Sequence, residues 1–344
     1  MRPPPEPRAN PVLVGHDEAA RTMAEAARSR RLHHAWLLAG PPGLGKATLA
    51  YRFARWMLAG QPDTPPGGTP LHVPEDDPVF RRVAAGAHAD LFTLAPNTGE
   101  KGKKEVLRAE DARASVRFMA HTAAEGGWRA VVVEDLERAE RDVVPNVLLK
   151  TLEEPPPRTV LLLVSAQPDR LLPTIRSRCR RLDLFPLAAP EMGRLLASWL
   201  PDKAEADRGA LARIADGCPG RALALAEGEG LALQAAVDEV FAGMPRLDPR
   251  LLHTVADKVA GQRDPAALSL FMFLLRRTIS DGSRRAARQG GAAPAWTAFR
   301  PLAEWAALWD RLGRLADETE RLNLDRKQAL LTGLAMLRPA ESRR

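Results

Sequence analysis

Cysteine occurs only twice in the 344 residues, at Cys179 and Cys218. The two are far apart and neither has a CxxC or HxxxH neighbour, which excludes a disulfide framework and a four-cysteine zinc site. Long apolar runs are also missing. The longest unbroken one, Leu270 to Leu275, falls far short of the roughly 20 residues a membrane helix needs. The stretch Met1 to Arg8 has no apolar h-region, so no secretory signal is read and the expected location is cytoplasmic, with no membrane partner. The adjacent pair His33-His34 would point opposite ways on a strand, which gives no metal-ligand set. What is present is ordinary for a soluble globular chain: hydrophobic residues make up 45% and charged residues 27%. Lys and Arg number 50 against 43 Asp and Glu, a net charge of +7. That balance is compatible with a phosphate or nucleic-acid partner and equally with a solvated basic surface. At roughly 100–200 residues per domain, the length suggests two or three domains.

Along the chain, residues 1–11 read as a flexible Pro-rich arm. A helical pattern runs from Gly15 to Arg31, then an apolar strand from Ala35 to Ala39. A glycine-rich turn follows, Gly40-Pro41-Pro42-Gly43-Leu44-Gly45-Lys46. Leu49, Ala50, Phe53, Trp56 and Met57 fall at helix spacing over Ala47 to Leu58. Residues 61–78 are rich in proline and glycine and read as an irregular loop. Further on come a strand at Asp90–Leu94, a charged loop from Asn97 to Glu105, and a helix over Ala109 to Thr122. The strand Arg129–Val133, a helix from Val143 to Glu153 and the strand Thr159–Ser165 complete the pattern. Strands that are apolar throughout, alternating with helices, predict a parallel sheet covered on both faces. After about Leu184 the pattern is helical, most clearly over Ala266 to Ile279 and Pro301 to Leu322. The expected organisation is a P-loop α/β domain over 12–184, a small helical lid over 185–230 and a helical bundle over 231–344.

The turn 40–46 lies between a strand and a helix, the context that makes GxxxxGK a phosphate-loop signature. Its glycines let successive N–H groups converge on phosphate oxygens at a helix N-terminus, and Lys46 would reach the β- and γ-phosphates. The signature then fails. Position 47 should be Ser or Thr, whose hydroxyl ligates Mg²⁺, and here it is Ala47. Thr48 is rotated about 100° from that position on a helix. The second element, an acid ending an apolar strand, is met by Asp135 after Val131–Val133, and Asp135 remains a weak candidate for Mg²⁺. The general-base position after it is Leu136, and Glu134 faces the other side of the strand. Weak ATP or ADP binding and inefficient hydrolysis are therefore expected.

Two longer segments are more specific. Val147-Leu-Leu-Lys-Thr-Leu-Glu-Glu-Pro-Pro156 and Leu172-Pro-Thr-Ile-Arg-Ser-Arg-Cys179 closely resemble the bacterial clamp-loader ATPase family of AAA+ proteins. The register of that resemblance independently puts Asp135 and Leu136 at the family's Asp-Glu pair. It implies an AAA+ P-loop fold and a collar formed by the C-terminal bundle. In the family the Ser177-Arg178-Cys179 segment carries an arginine that projects into a neighbouring subunit's ATP site, where a planar cation stabilises charge in transfer. The alternative is a solvated patch formed by Arg176, Arg178, Arg180 and Arg181. Ser165 falls where relatives keep a polar sensor near the γ-phosphate, or it is a strand-end cap. The resemblance also puts Gly220 where the family's ATPases have a lid arginine, with Arg221 one place on. Residues 59–92 lack the cysteines of the family's zinc insert, so no zinc is expected.

The resemblance implies a largely non-hydrolysing subunit of a hetero-oligomer in the DNA polymerase III assembly. Its partners would be the tau or gamma motor subunits and the delta subunit, with the sliding clamp and primed DNA as substrates. An active motor with Thr48 as substitute metal ligand is one alternative. A stand-alone DNA-binding protein, suggested by the stretch Arg276 to Arg288, is another, although basic and aromatic residues are not interleaved there. Trp305 and Trp309, near Leu302, Leu308 and Leu312, read as bundle core or as collar interface.

Overall fold

A computed structural model describes residues 6–64, 68–96, 106–140, 143–262, 267–288, 292–322 and 324–338. The chain divides into two compact units, one up to Ala222 and one from Leu223.

The first unit begins with helix α1 (Asp17–Arg28), strand β1 (Ala35–Ala39), helix α2 (Lys46–Leu58) and helix α3 (Pro78–Ala84). Next come β2 (Leu91–Leu94), α4 (Ala109–Ala120), β3 (Arg129–Val133), α5 (Val143–Glu153) and β4 (Thr159–Ser165). A short helix α6 (Pro173–Arg176) leads to β5 (Arg180–Asp183), followed by the lid helices α7 (Ala189–Trp199) and α8 (Glu205–Ile214). Helix α9 (Pro219–Glu227) opens at the end of this unit. The five strands are parallel and ordered β2-β3-β4-β1-β5. Alternate residues of each central strand go to opposite faces, and both faces are dry. Trp36, Leu38, Val132 and Leu162 join the α1–α3 side, whereas Leu37, Val131, Val133 and Leu163 join the α4–α5 side. Local signals set the helix starts: Asp77 accepts from the Val79 N–H at 2.7 Å and Pro78 opens α3.

Two expectations are corrected. Residues 6–11 of the arm are not loose. Pro7–Ala9 form a 3₁₀ turn pinned by buried arginines of α2. Arg55 donates to the carbonyls of Arg8 at 3.0 Å and Asn10 at 2.7 Å. Arg52 donates to Pro11 O at 2.7 Å, Pro70 O at 2.9 Å and Thr69 Oγ1 at 2.8 Å, which also orders part of the Pro-rich loop. Backbone carbonyls in a segment too proline-rich for helix or sheet are thereby satisfied by side chains. The second correction is β5, an edge strand that the sequence reading omitted. Residues 1–5 and the charged loop 97–105 lie outside the described residues.

The second unit holds α10 (Gly230–Ala242), α11 (Pro249–Ala260), α12 (Ala267–Ala287), α13 (Leu302–Leu322) and α14 (Arg326–Ala335). Trp305 is buried, its indole N–H donating to Thr297 O at 3.2 Å and its ring set edge-on to Trp296 at 4.8 Å. Trp309 is 37% exposed beneath the Arg276 guanidinium at 3.8 Å. The aromatic pair thus splits, with Trp305, Leu308 and Leu312 in the core and Leu302 and Trp309 at the surface. Among the described residues no helix is long and apolar enough to cross a membrane.

Candidate functional site

Strand β1 delivers the chain into the loop 40–45, and α2 leaves from it at Lys46. Gly43 at φ +74° and Gly45 at φ +102° hold conformations that side-chain-bearing residues rarely adopt. These are the turns that let the loop curl over the α2 N-terminus. Lys46 is 5% exposed, and its ammonium donates to Gly40 O at 2.8 Å and Pro41 O at 2.7 Å. Burial pushes its pKa down, and the carboxylates of Glu137 and Asp135 act against that shift. The charges of both acids therefore act at the lysine, which links the loop electrostatically to the end of β3.

Ala47 packs against the core on the α2 side, and Thr48 is buried. Asp135 follows β3 with φ +44° and has the Arg138 guanidinium 3.9 Å away. Leu136 is 2% exposed and belongs to the α4–α5 core with Leu107, Val144 and Leu148. The Glu134 carboxylate accepts from the Tyr51 hydroxyl of α2 at 2.6 Å. Burial raises the pKa of Glu134. For Mg²⁺ one expected ligand is missing: Ala47 offers no donor, and Asp135 is the carboxylate at the end of β3. The loop's converging N–H groups and Lys46 are what remain to hold a polyphosphate.

Ser165 pairs in register with Ala39 at the end of β1 and is fully buried. Its hydroxyl accepts from the Gln167 N–H at 3.1 Å, so it caps the strand end. Glu137, which the sequence reading passed over, accepts from the Ala166 N–H at 2.8 Å and ties the β3 and β4 ends together. His16 was also missed. It is 5% exposed, and its Nε2–H donates to the Leu44 carbonyl of the loop at 3.0 Å. No local signal marks it, since a lone histidine before a helix is most often a core residue. Arg221 bonds back to Ala215 O at 3.1 Å within the lid.

Arg178 lies on the turn after α6. Its guanidinium donates to Thr174 O at 3.0 Å and pairs with Glu153 at 2.6 Å, with 35% of the side chain exposed. Ser177 is exposed and donates to Thr174 O at 3.2 Å. Cys179 packs against the α4–α5 core, and burial pushes its thiol up to about 12. The neighbouring arginines are engaged as well: Arg176 and Arg181 with the exposed Asp169, and Arg180 over the ring of the buried Trp36 at 4.6 Å.

The first unit is thus a P-loop domain of the AAA+ kind: a five-stranded parallel sheet with the phosphate loop after a central strand and a helical lid behind it. More particularly, the chain belongs to the family described as DNA polymerase III, delta subunit, whose model matches residues 15–188. It is 37% identical over 215 residues to DNA polymerase III subunit delta′ of Pseudomonas aeruginosa, covering 62% of this chain and 61% of that one. It is 36% identical over 202 residues to subunit delta′ of Escherichia coli K12, covering 58% and 56%. The chain therefore spans about six tenths of the length of these relatives. Among solved structures, a gamma subunit-related DNA polymerase III protein of Thermotoga maritima aligns with 93% of this chain and 98% of its own. Its TM-score is 0.45 and its identity 17%.

Proposed function

We propose that this chain acts as a delta′-type subunit of a bacterial clamp loader. It would be a largely non-hydrolysing stator that lends Arg178 to the ATP site of an adjacent motor subunit. The observation that carries this reading is a spoiled pocket beside an intact Ser177-Arg178-Cys179 segment. Ala47 has no metal ligand to offer, Leu136 is a core residue, and Arg178 stands at the surface. Its pair with Glu153 is partly exposed, at 35% and 49% of the two side chains, and surface pairs contribute only about 0–1 kcal/mol. A neighbour's triphosphate, carrying more charge, can draw the guanidinium away.

In this reading the chain works in a cytoplasmic hetero-oligomer with tau or gamma motor subunits and a delta subunit. The whole assembly places the sliding clamp on primed DNA. The chain's own loop keeps weak affinity for ATP or ADP. The test is ATP hydrolysis by the purified chain and by the reconstituted assembly, with Arg178 intact, Arg178→Ala and Arg178→Lys. The lone chain is expected to be nearly inert. Arg178→Ala should slow the one site it faces by about 10³–10⁵-fold. Arg178→Lys should not restore it, because a point charge lacks the planar fork. Vigorous hydrolysis by the lone chain, or an unaffected Arg178→Ala assembly, refutes the reading.

A further inference from the structure

The lid touches the phosphate loop backbone to backbone. The Gly220 N–H, at the start of α9, donates to the Gly43 carbonyl at 2.7 Å. A Cβ on Gly220 would lie 2.9 Å from Gly43 Cα and 3.1 Å from its oxygen, and a Cβ on Gly43 would lie 2.6 Å from Arg221 N. Gly220 has no left-handed φ, so its missing side chain serves close approach rather than conformation. Four other loop carbonyls are occupied as well. Gly40 and Pro41 accept from Lys46, Leu44 accepts from His16, and Gly45 accepts from the Leu49 N–H. The ammonium that would meet a phosphate is turned onto its own loop, and the loop is held by the lid.

We propose that the Gly43–Gly220 contact is a latch: the start of α9 clamps the phosphate loop in a self-satisfied state, and a nucleoside di- or triphosphate gains the loop only when the lid lifts. This rests on the residual nucleotide site proposed above and assigns part of its weakness to the lid, in addition to the missing metal ligand. A site that is competent only while the lid is open binds more weakly in proportion to that open fraction. A lid open one time in ten costs about tenfold in apparent affinity. The latch also gives a neighbouring subunit a handle, because anything that shifts the lid changes this loop.

The experiment uses the full chain with Gly220→Ala and Gly220→Val, and Gly193→Ala as control. Gly193 lies in lid helix α7, where an added Cβ meets nothing within 4 Å. Calorimetric titration with ADP reads affinity, and amide hydrogen exchange at Gly220, Arg221 and 43–46 reads the latch. Circular dichroism reads the fold; should Gly220→Val fail to fold, Gly220→Ala carries the test. Both Gly220 variants are expected to exchange faster at these amides and to bind ADP about tenfold more tightly, with Gly193→Ala unchanged. Adding Lys46→Ala should abolish the gain. Faster exchange with measurable but unchanged ADP affinity overturns the latch alone, as does exchange that does not change. A lifted lid with no ADP binding in any variant overturns the residual nucleotide site and the latch with it.

Discussion

Replacing Leu136 with Glu would restore the residue type that an AAA+ ATPase uses to polarise water, and the structure predicts that it damages the protein instead. Leu136 is 2% exposed within the α4–α5 core. Removing its side chain from that core costs about 1.5–3 kcal/mol of burial. The new carboxyl would sit in apolar surroundings and resist ionisation, and buried carboxyls can rise by 3 units or more. At about 1.4 kcal/mol per unit, a rise of about 3 units adds roughly 4 kcal/mol at pH 7.5. The total, about 5–7 kcal/mol, rivals the whole stability of many domains, about 5–15 kcal/mol. The sign with pH follows from linkage. A folded pKa above the unfolded value means that the folded state holds the proton more tightly. The ionisation penalty is therefore absent below about pH 4.3 and grows as pH rises to the folded value. Urea denaturation of parent and Leu136→Glu at pH 5 and pH 7.5 measures this, with the larger deficit expected at pH 7.5. Adding Ala47→Ser should not bring hydrolysis. A Leu136→Glu chain within about 1 kcal/mol of the parent at both pH values, with hydrolysis gained on adding Ala47→Ser, would refute the reasoning.

Arg55→Met should free the arm. Its lost donors leave the Arg8 and Asn10 carbonyls unmet, at about 1–3 kcal/mol each if they stay buried. The arm can instead lift into water, so faster proteolysis within residues 6–11 is expected; unchanged protection contradicts the pinning. Burial lowers the pKa of His16, His34 and His88. The unfolded chain then binds protons that the folded one refuses, and stability should fall as pH drops below about 6.5. His16→Gln should flatten the slope of urea stability between pH 7.5 and 5.5 by up to about 1.4 kcal/mol per pH unit, and an unchanged slope would exclude His16 as a contributor. The Cys179 thiol, pushed up to about 12 by burial, should resist a thiol-exchange reagent at pH 7.5 until the chain is unfolded. Fast reaction in the native state would contradict its packing.

The legible parts of the fold were those whose signal is local. Strands β1, β3 and β4 are central and covered on both faces, so each reads as an unbroken apolar run. Strand β5 pairs only with β1 at the sheet edge, and its sequence Arg180-Arg-Leu-Asp183 carries no such run. The arm showed its proline content but not its anchorage, because the anchors are arginines on α2, far along the chain. Arg52 and Arg55 would ordinarily mark the solvent face of a helix; both are buried, and α2 is covered almost all round.

The candidate site divides in the same way. The phosphate loop, the missing hydroxyl at Ala47 and the strand-end Asp135 were visible because phosphate chemistry demands particular residue types at particular spacings. What supports the proposed loss of hydrolysis was only half visible. Sequence shows that position 136 lacks a carboxylate, but not that the side chain there has become part of the core, so that its chemistry cannot return without a cost to folding. It shows Gly43 as a loop glycine and Gly220 as a glycine at the start of a lid helix. It does not show that each lacks a side chain because the other occupies the space. Both are tertiary facts. Both support the proposed reading: position 136 is taken into the core, and loop carbonyls are bonded to Lys46 and to the Gly220 N–H. In that proposed reading Arg178, half-buried and paired with Glu153, is the cation offered to a neighbouring triphosphate.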